Sequence, residues 1–301
     1  MIYYIAGNIN ALIRLIFSHG SRQRAPLGGW RLQSGKRHPA LLRDPAVIRM
    51  HPICFHIASR PVYWYGVMMA AAFMAAIAHW AWLARRAGRP ANYGYDLAFW
   101  LMLSGIVGAR INYILANLGD FRAAPWTIVR VDQGGLIYYG GFVGAALTAV
   151  IFARVRGERL WWLADFAITA IPLGHFLGRI GCFLNGCCYG VPGTAPWCFP
   201  LDGTPRHPVQ LYEAGWNLAV YLALTWFFLR RRTAGAVFAL YLALYPAGRF
   251  LLEFWRGDPR QMLWGLTVAQ WFSLALIAAG VALGWFCLRR RSSSRPDRAQ
   301  P

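Results

Sequence analysis

From Pro61 onward the chain resolves into seven long apolar runs separated by short polar connections. They cover approximately residues 62–84, 95–118, 136–154, 160–180, 211–229, 235–254 and 265–288. Each is long enough to cross a hydrocarbon core of about 30 Å as a helix. Isolated apolar strands would leave backbone groups unpaired in lipid, so the pattern predicts an all-α, polytopic integral membrane protein with seven transmembrane helices. The chain before Pro61 reads differently. Ile2 to Phe17 is apolar but interrupted by Asn8, Asn10 and Arg14, and Ser18 to Arg49 is rich in Arg, Gly and Pro. This predicts an extension over residues 1–50, either disordered or the product of a start site upstream of Met50. A seven-helix membrane domain over 51–291 and a disordered polar tail over 292–301 complete the expected organisation.

Composition agrees with a bilayer setting. Only 14% of the 301 residues are charged against 57% hydrophobic, with a mean hydropathy of +0.36; soluble domains are nearer a quarter charged. The net charge of +20 comes almost wholly from arginine, Lys36 being the single lysine. Arg85, Arg86 and Arg89, Arg154, Arg156 and Arg159, Arg230 to Arg232, and Arg289 to Arg291 follow alternate apolar runs. The other connections hold only Arg122, Arg130, Arg206, Arg256 and Arg260. Twelve against five puts the C-terminus in the cytoplasm and the start of the first span outside, and this placement of the basic residues argues against nucleic-acid binding.

Cys54, Cys182, Cys187, Cys188, Cys198 and Cys287 show no disulfide-framework spacing. The cluster of three suggests a metal, but no second Cys pair or His pair stands at ligand spacing beside it. The expectation is therefore packing, with no metal and no cofactor.

A charged side chain at mid-membrane costs about 2.5–3.5 kcal/mol on the insertion scale, so each one needs a reason. Arg110, Asp165, Arg179, Glu213, Arg249 and Glu253 all fall in or at the margins of the apolar runs. Tyr245, Arg249 and Glu253 are spaced four apart on one helical face, with Arg256 beyond. Either Arg249 and Glu253 pair only to fix packing, or the half-neutralised guanidinium binds a phosphate bidentately. From Gly178 to Gly190, four glycines and Asn185 interrupt a helix just after Arg179. Irregular backbone at membrane depth is tolerated where it is buried or lines a wet cavity, and freed N–H groups beside an arginine make an anion nest. A plain helix-terminating loop is the other reading. Gly134 to Gly141 sets paired glycines around Tyr138 and Tyr139. His207 to Glu213 carries polar groups into the fifth run, and His207 and His175 read equally as structural histidines or proton carriers.

Together these stretches resemble the prolipoprotein diacylglyceryl transferases, enzymes of the bacterial inner membrane. The resemblance runs from about Tyr63 to Trp271. It comprises Trp64-Tyr65-Gly66, Gly108-Ala109-Arg110 with Tyr113, Gly135 to Gly141, Gly178 to Gly190, His207 to Glu213, Gly248 to Asp258, and Gly265-Leu266-Thr267 with Gln270, in the family's order. It implies transfer of the diacylglyceryl group of phosphatidylglycerol to the lipobox cysteine of a preprolipoprotein, the first step of lipoprotein maturation, within the lipid bilayer. By the same resemblance Arg249, Glu253 and Tyr139 are catalytic. Arg179, Tyr65, Tyr245, Asn185, Gly190, Arg110, Glu213 and Arg256 bind substrate. The chain departs from the family where Tyr139 replaces a usual His, Cys182 a usual Asn and Cys187 a usual Glu. A tyrosine is a poor base at neutral pH unless a cation lowers its pKa. Intramembrane charges also suit a transporter, against which no inverted repeat is visible, or a non-catalytic phospholipid-binding relative.

Overall fold

The computed structural model describes residues 52–293 apart from Ala58, Ala91, Ala124, residues 131–133, Asp202 and Arg232. The expected extension over 1–50, Arg232 and the end of the tail lie outside the described residues. A hairpin of β1 (Ile53–Ile57) and β2 (Arg60–Tyr63) leads into α1 (Trp64–Arg86). α2 (Asn92–Ala116), the short α3 (Leu118–Ala123) and a 3-10 turn, Pro125–Val129, precede α4 (Tyr138–Val155). α5 (Leu160–Ile168) and α6 (Ile171–Leu184) follow, then the hairpin β3 (Phe199–Leu201) with β4 (Thr204–Arg206). Next come α7 (Val209–Arg230), α8 (Ala236–Leu252) and the 3-10 turn Glu253–Trp255. The hairpin β5 (Met262–Leu263) with β6 (Leu266–Thr267) then opens α9 (Val268–Ser293).

Every apolar run is helical, as the hydropathy pattern requires. Among the described residues six helices are long and apolar enough to cross a membrane: α1, α2, α4, residues 160–184 as one unit, 236–255 and 268–289. α7 has the length without the composition, because Gln210, Glu213 and Asn217 dilute it, and all three are buried. The three hairpins were not expected. Their strands are two to five residues long and lie at the margins of the helices, where hydropathy is uninformative.

Glycine sets how closely α2 and α4 approach. A Cβ on Gly140 would strike the Gly108 carbonyl, and one on Gly144 would strike that of Ser104. Interfaces of this kind let two backbones touch where lipid supplies no hydrophobic drive for association. At one end of the bundle Trp80, Leu83, Leu97, Phe152, Phe166 and Leu224 form the apolar core. Phe99, Trp100, Leu103, Ile106 and Val107 of α2 stay exposed, as a lipid-facing surface does.

Asp165 has a structural reason to be there. Its carboxylate, fully buried on α5, accepts the backbone N–H groups of Gly235 (2.7 Å) and Phe238 (2.8 Å) at the start of α8. It also pairs with Arg231 at 2.9 Å. It thus satisfies orphan donors of a helix seventy residues away. Asp165→Ala is expected to cost about 3–5 kcal/mol, since it strands a buried arginine and two amides. Thermal unfolding in detergent measures this, and an unshifted midpoint would remove the capping role.

Candidate active site

Four arginines and three carboxylates meet where the C-terminal ends of α6 and α8 approach the first turns of α7. Glu213, on α7, is their common point. One of its oxygens pairs with Arg179 Nε, and the other lies 3.1 Å from Arg256 Nη1 and 3.5 Å from Arg249 Nη1. Arg249 Nη1 also pairs with Glu253 one turn on, as the four-residue spacing requires. Arg256 grips Asp258 through Nε at 2.9 Å and Nη2 at 3.1 Å, and Arg260 contacts Asp258 (2.9 Å) and Glu253 (3.6 Å). Burial alone would lift the Asp258 carboxyl. Hydrogen bonds from Arg256 and the charges of Arg256 and Arg260 instead hold it below the usual carboxylate range. Four guanidinium groups against three carboxylates leave one net positive charge.

The arginines are not equivalent. Arg256 has all three nitrogens engaged and its side chain is 1% exposed, so it acts as a clamp. Arg179 is 23% exposed and meets Glu213 through Nε alone; among the described residues its two terminal amino groups have no hydrogen-bond acceptor. Arg249, 15% exposed, uses only Nη1. Donors on two different helices therefore stay free beside a partly open surface. A small hollow of about 10 Å³ lies on the Arg249 side, lined by Glu213, Trp216, Asn217, Tyr245, Gly248, Arg249 and Leu252, with room for roughly one water. A cavity of about 540 Å³ lies elsewhere, among Arg86, Arg89, Arg159 and Arg231. Arg231 is eighteen residues from Glu213, about 27 Å along α7.

Local sequence explains the convergence. Gly248, next to Arg249, has no side chain, so the Trp216 indole lies across α8 and donates to the Leu244 carbonyl at 3.0 Å. That seats α7 against α8 with Glu213 beside Arg249. The loop after α6 is stitched to the turn after α8 by Val191 N–H to Trp255 O (2.9 Å), Gly257 N–H to Tyr189 O (3.0 Å) and a Gly190–Arg256 bridge. Gly190 is crowded: a Cβ there would strike the His207 carbonyl.

Of the expected site residues, Arg179, Glu213, Arg249, Glu253 and Arg256 come together. Tyr245 is an electrostatic neighbour of Arg179, Glu213 and Arg249, with its ring 5.1 Å from that of His175. Tyr65, in the first turn of α1, packs where Gly181 lets α1 approach α6 and neighbours Arg179. Asn185 caps α6, its N–H bonded to the Gly181 carbonyl at 3.0 Å. Tyr139 opens α4 half-exposed, its ring 6.0 Å from Tyr138, and Tyr138 is the one that neighbours Tyr241 and Tyr245. Arg110 stands apart. Its guanidinium donates to the carbonyls of Thr127, Ile128, Arg130, Gly134 and Gly135 at 2.5–3.1 Å. All five donors are spent holding the connection between α2 and α4. His207 shares a hydrogen bond with Tyr212 Oη at 3.0 Å, which ties down the loop.

Sequence reading missed Asp258 and Arg260 as members of the network. Their alternation with Arg256 just past a helix end was the available signal. It also missed Gln210, fully buried, whose amide donates to the Cys187 carbonyl at 2.7 Å.

Residues 52–286 match the model of a family described as prolipoprotein diacylglyceryl transferase. A protein of Bordetella avium (strain 197N) named phosphatidylglycerol–prolipoprotein diacylglyceryl transferase is 36% identical over 266 residues, covering 84% of this chain and 97% of its own. Proteins of the same name from Nostoc sp. (34%; 80% and 90% covered) and Methylobacillus flagellatus (35%; 79% and 97%) are similarly related.

Proposed function

Because the chain belongs to the prolipoprotein diacylglyceryl transferase family, we propose that Arg179 and Arg249 jointly hold the phosphate of phosphatidylglycerol while its diacylglyceryl group passes to a prolipoprotein. The protein is a transferase of lipoprotein biosynthesis and a multi-pass membrane protein. The reading rests on one observation: free guanidinium donors from α6 and α8 flank a shared, buried Glu213 and open to the surface. A transporter, resting on the same charges, has nothing comparable in its favour.

In the reaction a carbon–sulfur bond forms between the lipobox cysteine and a glycerol carbon, and the carbon–oxygen bond to phosphate breaks. Glycerol phosphate leaves with the electron pair, and the thiol proton passes to a base or to the phosphate. A singly charged phosphodiester thereby becomes a more highly charged monoester, so negative charge grows on the phosphate as the barrier is crossed. Fixed arginine donors in a poorly screened site bind that state better than the ground state. Arg249 and Glu253 act as the catalytic pair, Glu253 orienting the guanidinium, and Arg179 takes the head group. Tyr65 and Tyr245 line its approach. Either Tyr139, half-exposed at the start of α4, or the departing phosphate takes the thiol proton, thiolate being the nucleophile.

We include α7 as the seventh span. At 22 residues it is about 33 Å long, and its polar groups face the network rather than lipid. The start of α1 then faces outward and the C-terminus lies in the cytoplasm of a bacterium, in the inner membrane, with residues 51–291 as the transferase domain. Reconstitution with phosphatidylglycerol and a lipobox peptide tests the assignment: the peptide should gain one diacylglyceryl group as glycerol phosphate is released, and a peptide of unchanged mass would end it. In that assay Tyr139→Phe should lower the rate at least about tenfold. A silent substitution excludes the phenol as base.

A further inference from the structure

Apart from the arginine–carboxylate network, reactive side chains converge most tightly at Cys182, Cys187 and Cys188. Their three sulfur atoms all lie within 4.8 Å of one another. Cys182 sits in the last turn of α6, and the chain bends back at Asn185 and Gly186 (φ 70°) to bring the other two thiols to it. The Cys187 thiol donates to the Cys182 carbonyl at 3.6 Å. Cys188 is held at φ 61°, a region that side chains with a Cβ seldom occupy. The chain after this bend is pinned twice, by Gln210 on the Cys187 carbonyl and by the Gly190–Arg256 bridge. All three cysteines are only half-buried, whereas cysteine used as apolar filler is among the most completely buried residue types. Two cations stand beside the cluster: Arg256 neighbours Cys188, and Arg179 neighbours Cys182 and Cys188.

We propose that Cys182, Cys187 and Cys188 form a three-thiolate site for one thiophilic d10 cation of the zinc(II) or copper(I) class. Thiolates select such ions over hard cations. Zinc–sulfur bonds of about 2.3 Å place ligating sulfurs roughly 3.8 Å apart in a tetrahedral set, so closure around an ion needs a shift of under about 1 Å per side chain. Three protein ligands leave the fourth position of a tetrahedral ion open, as in catalytic rather than structural zinc sites. Binding releases three thiol protons to solvent and, for zinc, yields a site of net charge −1 beside Arg179 and Arg256. This site stands independently of the lipid chemistry assigned to the arginines.

The test uses the full chain in detergent, reduced, stripped with a chelator and kept anaerobic. Zinc is titrated in competition with a chromophoric chelator, and cobalt(II) is added separately for its sulfur-to-metal charge-transfer absorption. The expected result is one equivalent per chain, bound at least about 100-fold more tightly than by a Cys182→Ser/Cys188→Ser variant, with Cys198→Ser behaving as the unaltered protein. Should the double variant fail to fold, Cys187→Ser is read instead, and its cobalt charge-transfer band should fall by about a third. Equal zinc affinity with and without the thiols overturns the proposal. So does a disulfide within the three in protein isolated without reductant and free of metal.

Discussion

Replacing Arg249 by alanine is expected to leave the protein folded and membrane-inserted while lowering diacylglyceryl transfer about 100- to 1,000-fold, the loss typical of one electrostatic donor to a developing anion. Arg249 uses one terminal nitrogen on Glu213 and Glu253 and keeps the rest of its fork available, so alanine removes the ligand contact while the Arg179 and Arg256 pairs to Glu213 persist. The loss should fall mainly on kcat, because charge on the phosphate is greatest as the carbon–oxygen bond breaks. Lysine at the position should rescue poorly, since a point charge does not reproduce a planar fork. The check is initial rates with phosphatidylglycerol in vesicles alongside a thermal melt of the same preparation. Unaltered turnover would detach Arg249 from the chemistry.

Glu213→Gln carries the second large effect, and of another kind. One carboxylate within reach of Arg179, Arg249 and Arg256 is what permits three cations in a buried space. Neutralising it leaves those charges facing one another, with a cost of about 3–5 kcal/mol by comparison with other broken buried pairs. Transfer and thermal stability should fall together, and Glu213→Asp should recover part of both. Were glutamine tolerated with an unchanged melting temperature, Glu213 would be a bystander and the arginines would be held apart by something else.

The spans were legible because bilayer hydropathy is a strong and local signal. α1 was expected at 62–84 and is Trp64–Arg86, and α4, expected at 136–154, is Tyr138–Val155. α7 was found only by its length and apolar second half, since its first turns carry the polar groups that serve the site. The charged residues were legible as exceptions, but their fates were not. Arg110 and Arg179 look alike in sequence, each standing one or two residues after a glycine, Gly108 and Gly178. What separates them is that a returning connection presents five carbonyls to the first, and only a single carboxylate is brought to the second. Asp165 likewise owes its role to amides seventy residues downstream, a contact no window along the chain contains. The cysteines were visible as a cluster, yet spacing could not show that the bend after α6 folds them onto one another.

The single unbalanced charge in the arginine network also bears on which lipids the enzyme will accept. An anionic head group brings the neutralising unit with it. A zwitterionic phospholipid carries its own ammonium alongside the phosphate and would leave the cluster as cationic as before. With the phosphate held there as proposed, membrane lipids are expected to be sorted by the sum of their charges rather than by their shape.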